Sequence, residues 1–374
     1  MSSESILFSP VRLGRIVIPN RFVRSATHDF MAERDGRVTE RMVALLENLA
    51  EGETGLIITG HAFVHPAGQA SPRQIAVFDD RFLDGLKKIP EAVHRHDSKV
   101  FLQLSHAGRQ TKKKLSGAEP LAPSAVADPN FEGPPKKMRT EDIEDVKKAF
   151  IEGARRARDA GFDGIQLHIA HGYLLSGFIS PHTNRRKDEY GGSSKNRYRL
   201  IEEIIHGIVN VCGPDFPQIV KLNATDFIKG GLEIDDSLQV ARWLERDGIA
   251  GIEVSGGMAE AGKGSVWKGL RREEEEGYFV NNAVRIKQAV NIPVMGLGGF
   301  RTFAVMEDII KKARVDLISM SRPFIREPQL VKKYREGVIT KSACISCNLC
   351  FNPRGISCGA KNNTAKKEET NNEE

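Results

Sequence analysis

Two imidazoles and a phenol fall within six residues in His168-Ile-Ala-His171-Gly-Tyr173. Ring N–H groups can grip a carbonyl oxygen while a phenol beside them delivers a proton. With an intrinsic pKa of about 10, Tyr173 is an acid at neutral pH and not a base. The preceding run, Gly164-Ile-Gln-Leu-His-Ile-Ala170, alternates: Ile165, Leu167 and Ile169 take one face of a strand, Gln166 and His168 the other. A histidine at the carboxyl end of a buried strand, followed by a glycine turn, sits where α/β folds keep their active sites. A single buried histidine is more often a hydrogen-bonded core residue; a pair at i and i+3 leading into Gly-Tyr is less often so. Zinc on His168 and His171 would need a third histidine or a carboxylate, and none accompanies them.

Three further groups carry chemical signal. Lys221 is read as pointing inward, where an unpaired ammonium is costly, so either an electron-rich ligand or Glu253 must meet it. Gly296-Leu-Gly-Gly-Phe-Arg-Thr302 and Ser319-Met-Ser-Arg322 end two late strands. Glycines there let backbone N–H groups approach a phosphate, a helix N-terminus with an arginine adds positive potential, and Thr302 is placed to cap that helix. The plainer reading makes Gly298-Gly299 a tight turn and Arg322 half of a surface ion pair. Finally, Cys344-Ile-Ser-Cys347-Asn-Leu-Cys350, with Cys358 beyond, has the thiolate spacing of an iron–sulfur or zinc knuckle. Four clustered thiols without a ligand would be an oxidation liability.

These residues need a frame. Eight apolar, β-branched runs can be read along the chain: 21–27, 55–64, 100–106, 164–170, 218–223, 251–257, 293–299 and 316–322. Helical periodicity fills the intervals. It is clearest over 140–160, where Ile143, Val146, Phe150, Ala154 and Ala157 recur at three- and four-residue steps behind Thr140 as N-cap. Eight strand–helix alternations predict an α/β fold, a (β/α)8 TIM barrel over residues 1–340 with a short N-terminal hairpin. A doubly wound sheet is disfavoured because no strand leads into G-x-G-x-x-G. Polar alternation at the strand ends agrees. Gln103 and Ser105, Lys221 and Asn223, Glu253 and Ser255, and Ser319 and Ser321 share the presumed inner face with Gln166 and His168. A purely structural core would use branched aliphatics there. Connections 108–139, 178–197 and 256–280 are long, the last a lid candidate with an acidic patch at 273–276. A Cys-rich segment (341–358) follows, then a polar tail (359–374) expected to be disordered.

The bulk numbers set limits on partners and compartment. With 374 residues, 40% hydrophobic and 28% charged, the chain can bury a globular core. A net charge of +6 and a pI near 9.0 are spread among 49 acidic residues with no basic block. That predicts weak steering of anionic ligands and no nucleic-acid binding. The start, Met1-Ser-Ser-Glu-Ser-Ile, lacks the charged and apolar regions of a secretory signal, and no apolar run approaches the roughly 18 residues of a membrane helix. A cytoplasmic protein is expected, and in a reducing cell the clustered cysteines point to ligation more than to disulfides.

Four stretches resemble the old yellow enzyme family of NAD(P)H:flavin oxidoreductases, or ene-reductases. They are Asn20-Arg-Phe-Val-Arg-Ser-Ala-Thr27, Gln103-Leu-Ser-His-Ala-Gly-Arg109, the run from His168 to Tyr173, and Ser180-Pro-His-Thr-Asn-Arg-Arg-Lys-Asp-Glu-Tyr-Gly-Gly-Ser193. The likeness covers about 7–328 and implies an FMN-binding barrel related to the barrel domain of 2,4-dienoyl-CoA reductase. Its members pass a hydride from NADH or NADPH through the flavin to the β-carbon of an alkene conjugated to a carbonyl. Carried over by position, the resemblance makes His168 and His171 the substrate carbonyl's partners and Tyr173 the acid that protonates the α-carbon. Ser25, Ala26, Thr27 and His28 would line the flavin, Gln103 would meet its pyrimidine edge, and Lys221 would sit near N1. Gly298, Gly299, Ser321 and Arg322 would hold the phosphate. His28 stands where the family often has Thr or Cys, and Lys221 where Arg is usual, which keeps the charge but loses the planar fork. Cys344, Cys347, Cys350 and Cys358 resemble, at shorter spacing, the iron–sulfur motif of the larger relatives. The implied partner is a small enone or enoate; a homo-oligomer or a redox partner is left open. Two rival functions remain: an amine or demethylating dehydrogenase on the same barrel, and a non-catalytic flavin electron-transfer subunit.

Overall fold

A computed structural model describes residues 5–262 and 264–360. Eight parallel strands occupy the expected places: Phe22–Arg24, Leu56–Ile58, Lys99–Ser105, Gly164–Ile169, Gln218–Asn223, Gly251–Ser255, Val294–Leu297 and Leu317–Met320. Each pairs with its neighbours in chain order, and the eighth pairs with the first through Ile318 opposite Phe22, closing the barrel. Helices follow each strand on the outside, from Glu40–Glu51 to Leu330–Arg335. The helix Thr140–Asp159 buries Ile143, Val146, Phe150, Ala154 and Ala157, the stripe that the periodicity predicts. Each such side chain adds about 1.5–3 kcal/mol if aliphatic or aromatic, less for Ala.

The polarity gradient along the barrel axis follows from two residue sets. At the amino-terminal end, a hairpin of Val11–Leu13 against Ile16–Ile18 inserts Leu13 and Ile18 among Val23, Leu56, Ile58, Phe101, Ile219, Met295 and Leu317. That apolar plug fills the floor. One pleat further up, the inward residues of the third, fourth, fifth, sixth and eighth strands turn polar, and Gln103, Gln166, His168, Lys221, Asn223, Glu253, Ser255 and Ser319 are all buried there. Register puts Lys221 between His168 and Glu253, and Gln103 opposite Gln166. The buried polar side chains inside the barrel thus lie toward its carboxyl end.

Three local expectations need correction. The run 55–64 is not one strand: it breaks into Leu56–Ile58 and Ala62–Phe63, the second pairing with Leu104 and Ser105. Ten residues overshoot the barrel wall, and the break turns His61 inward. The N-cap of the fourth-strand approach helix is Arg139, not Thr140; Asp142 at the third helical position accepts from the Arg139 backbone N–H at 2.8 Å. Of the tail 359–374, Gly359 and Ala360 lie in a helical turn, and the rest of that expectation lies outside the described residues. Among the described residues no helix is long and apolar enough to cross a membrane.

Candidate active site

His168 projects from the end of the fourth strand, and the chain then turns sharply. His171 takes a left-handed φ of 64° and Gly172 one of 82°. Such backbone is strained for a histidine and is fixed from outside: Asn223 Oδ1 accepts from the His171 N–H at 3.1 Å, and Gln110 Nε2 donates to its carbonyl at 3.0 Å. The turn folds three rings together. The His168 ring lies 5.1 Å from that of His171 and 4.8 Å from that of Tyr173, both edge-on. His171 Nε2 is anchored to Ser255 Oγ at 2.8 Å, while His168 Nδ1 is buried with no partner among the described residues.

Burial sets the protonation states. It pushes the His171 pKa down to about 3, and the nearby Lys221 charge and His61 push the same way. His168 is held well below the ordinary imidazole value by burial, then by His171, Lys221 and His61. Burial raises Tyr173 to about 12. At neutral pH the trio is therefore two neutral imidazoles and an un-ionised phenol.

Lys221 is met by Glu253 Oε2 at 3.2 Å, and its Nζ donates to Ser25 Oγ at 2.8 Å. Gln166 Nε2 donates to the same Glu253 oxygen at 2.8 Å and its Oε1 accepts from Gln103 Nε2 at 2.7 Å. A single polar row thus runs from Gln103 to Ser25 across the barrel. Of the two readings of Lys221, the protein partner is present. Glu253 Oε1 still has no partner, nor does Ser319 Oγ among the described residues, so the row is not closed upon itself.

Above this row opens a cleft between the carboxyl ends of the strands. Ser25, Ala26, Thr27, His171, Lys221, Gly299, Ser321 and Arg322 all line it, drawn from positions as far apart as 25 and 322. Its other wall is apolar, with Val266, Leu297, Met320 and Phe351. Thr27 Oγ1, which donates to Ser25 O at 2.9 Å, lies 2.7 Å from Ser321 Oγ and joins the first strand end to the eighth. His28 stands back from the cleft, its Nε2 2.6 Å from Ser71 Oγ.

The structure brings only some of the residues expected at a phosphate to the cleft. The helix after the seventh strand begins behind Thr302, but the hydroxyl of Thr302 donates to Glu276 Oε1 at 2.9 Å and does not cap the helix. Glu276 Oε2 accepts from the Arg301 and Thr302 backbone N–H groups at 2.8 and 2.9 Å. A carboxylate from the lid candidate has taken that helix terminus. Gly299 and Ser321 still face the cleft, whereas Gly298 lies behind, its carbonyl accepting from Tyr278 N at 3.1 Å. Arg322 turns one nitrogen to Trp267 O and Asn348 Oδ1, each at 2.7 Å, tying the cleft to the cysteine segment.

Several contributors escaped the sequence reading. His61 lies 5.4 Å from Tyr173, 6.3 Å from His168 and 5.1 Å from His28, ring to ring. Only its place beside a glycine within an over-long run could have signalled it. Arg109 pairs with Glu260, whose Oε1 is also 3.1 Å from His182 Nε2. Arg186 pairs with Asp188 at 2.6 Å and donates to Pro123 O and Met138 O. All three long connections are thereby clasped together, and the Asp-Glu-Tyr-Gly-Gly-Ser motif serves this clasp.

Cys344, Cys347, Cys350 and Cys358 are free thiols around one small space. Cys350, Arg322 and Ile325 line both this space and the larger cleft. Among the described residues no group of three or more His, Cys, Asp or Glu side chains converges closely enough for a single metal ion.

A closed barrel with an apolar floor, a polar row and a cleft across the carboxyl ends of its strands defines a ligand-binding (β/α)8 barrel of the old yellow enzyme type. The profile of the NADH:flavin oxidoreductase / NADH oxidase family matches residues 6–341, and the chain belongs to that family. It is 38% identical over 346 residues to an NADH oxidase of Thermoanaerobacter brockii, a match covering 92% of this chain and 53% of that protein. The chain thus spans about half the length of that relative. An NADPH dehydrogenase of Geobacillus sp. (strain WCH70) is 36% identical over 326 residues, 87% of this chain and 92% of the relative. The old yellow enzyme homologue of Zymomonas mobilis superposes with a TM-score of 0.77 at 26% identity, over 95% of this chain and 97% of that one.

Proposed function

We propose that the chain is an FMN-dependent NAD(P)H oxidoreductase that reduces the C=C bond of α,β-unsaturated carbonyl compounds. The observation that carries this reading is the trio of neutral imidazoles and un-ionised phenol, gathered beside the cleft that His171 lines. FMN bound there would take a hydride from NADH or NADPH and supply it to the alkene β-carbon. The remaining work falls to the chain. His168 and His171 donate to the substrate carbonyl and stabilise the negative charge that gathers on its oxygen. Tyr173 gives its phenolic proton to the α-carbon and regains one from solvent. Lys221, fixed by Ser25 and Glu253, keeps a positive charge at the cleft floor, which suits a ligand edge that becomes anionic. Gln103 continues that row, Ser25, Ala26 and Thr27 would line the ring system with His28 behind them, and Gly299, Ser321 and Arg322 would serve the phosphate end, with Gly298 behind them.

FMN-loaded protein should oxidise NADH or NADPH with matching loss of cyclohex-2-enone and formation of cyclohexanone. An enone left untouched while an amine bleaches the flavin without nicotinamide would move the assignment to an amine dehydrogenase. Inactivity toward both would favour a subunit that works only with a partner.

We also infer that Cys344, Cys347, Cys350 and Cys358 hold an iron–sulfur cluster, which would supply one-electron transfer, and not zinc. One zinc ion needs four ligands at roughly 2.3 Å from a single point. All four thiols instead border one space, and among the described residues no three of them converge on a single point. Anaerobically purified protein should contain about four irons per chain; one zinc and no iron would contradict this.

A further inference from the structure

Glu253 lies in the middle of the sixth strand, Gly251–Ser255, between Ile252 and Val254, and is fully buried. One oxygen, Oε2, meets Lys221 Nζ at 3.2 Å and accepts from Gln166 Nε2 at 2.8 Å. The other, Oε1, has no partner among the described residues. A buried carboxylate so incompletely met is costly, and an amide or an unbranched apolar chain would fill the same place without a charge. Lys221 lines the cleft and Glu253 does not, so the carboxylate is felt there through the ammonium that it holds.

Among the described residues Glu253 is the one carboxylate within ion-pair distance of Lys221. Ser25 Oγ, 2.8 Å from Nζ, accepts a hydrogen bond and brings no charge. Arg24, the other buried cation near Glu253, donates to the carbonyls of Ile58 and Thr27 and is balanced mainly by Asp29. The Lys221 charge helps to keep His61, His168 and His171 neutral, so it is felt across the whole site. The potential at the cleft floor is therefore the balance of one ammonium against one carboxylate. The same carboxylate directs the amide row. It can only accept, so Gln166 turns its NH2 group to Glu253 and its oxygen to Gln103, whose own NH2 group answers at 2.7 Å.

We propose that Glu253 is a positioning residue that sets the reduction potential of the bound flavin by offsetting the charge of Lys221. The inference rests on the flavin reading of the cleft and deepens it. A bare ammonium at the floor favours a ligand that has become anionic, and the carboxylate beside it moderates that preference. The reduced flavin is thereby held less tightly in its reduced state and passes its hydride on more readily.

The test measures the potential of FMN on purified holoenzyme against reference dyes, in wild type, Glu253→Gln, Glu253→Asp, Lys221→Met and the Lys221→Met/Glu253→Gln pair. Glu253→Gln keeps the shape and removes the charge. It should raise the reduced-to-oxidised ratio at fixed potential roughly tenfold, about 30 mV upward for a two-electron couple. Sulfite, which adds to oxidised flavin and leaves negative charge on its ring, should bind Glu253→Gln roughly tenfold more tightly. Glu253→Asp, which restores a carboxylate, should return both values toward wild type. In the Lys221→Met background the Glu253→Gln change should shift neither value, because a buried carboxyl without its cation stays protonated. Should Glu253→Gln hold no flavin, Glu253→Met, which removes the charge with an apolar chain, is read in its place. A potential and a sulfite Kd unchanged by loss of the carboxylate, or shifted equally with and without Lys221, would overturn the proposal. A folded wild-type chain that takes up no FMN would refute the flavin reading and this inference with it, whereas FMN bound at unaltered potential in the variants refutes this inference alone.

Discussion

At the scale of single residues, the proposed reaction rests on imidazoles that stay uncharged. His171 titrates near 3 and Tyr173 near 12, so neither group changes state across the physiological range. The oxidation of reduced holoenzyme by an enone should therefore be independent of pH between about 5 and 9, in a stopped-flow series. A break near the ordinary histidine value of about 6.5 would mean that a charged imidazole takes part. Removing one donor has a different signature. His168→Ala or His171→Ala should raise the enone KM and lower the turnover rate, together costing about 2–4 kcal/mol in kcat/KM, because each ring's hydrogen bond strengthens as charge develops on the oxygen. Steady-state kinetics with cyclohex-2-enone measures this directly.

At the scale of elements, the decisive piece is the turn after the fourth strand. A Cβ at Gly172 would fall 2.5 Å from Gln110 Nε2, and the residue's φ of 82° is unfavourable to any side chain. Gly172→Ala should cost about 1–2 kcal/mol in urea unfolding and should loosen His171, whose carbonyl Gln110 holds. Unchanged stability and KM would show that the turn does not depend on its glycine. This element was legible in advance because it announces itself locally: an alternating strand, two histidines, a glycine, a tyrosine. So was the barrel, whose strands are continuous β-branched runs with polar residues at their inward carboxyl ends. What escaped was tertiary. His61 lay inside a run that reads as one strand and splits only because the barrel wall is shorter than the run. The helix behind Thr302 reads as an anion site, and no local pattern says that Glu276, some 26 residues earlier, already occupies it. The Arg109–Glu260 pair and the Arg186 hydrogen bonds to Pro123 O and Met138 O likewise join connections that have no periodic relation to one another.

At the scale of the whole molecule, burying this many histidines ties function to stability. His61, His106 and His171 sit near 4, 3 and 3, and His28 and His168 are also lowered. The unfolded chain takes up protons at these side chains below about pH 6.5, and the folded one does not. Stability is thus complete above that pH and is lost as the pH falls toward the folded values. Each fully buried ring gives up at most about 2 kcal/mol between pH 6.5 and 5. The urea midpoint should fall steeply from pH 7 to pH 5, well before carboxylates titrate; a flat profile over that interval would mean that the rings are not buried as described. The clasped connections, the polar row and the apolar floor together divide the barrel into a cofactor cleft and a proton-donating corner, and this division is the central claim. It is tested most directly by separating the two half-reactions of Tyr173→Phe in stopped flow. Reduction of bound FMN by NAD(P)H should stay within about twofold of wild type, while re-oxidation by cyclohex-2-enone should slow by roughly 10²-fold or more. Equal slowing of both steps, or of neither, would contradict the account.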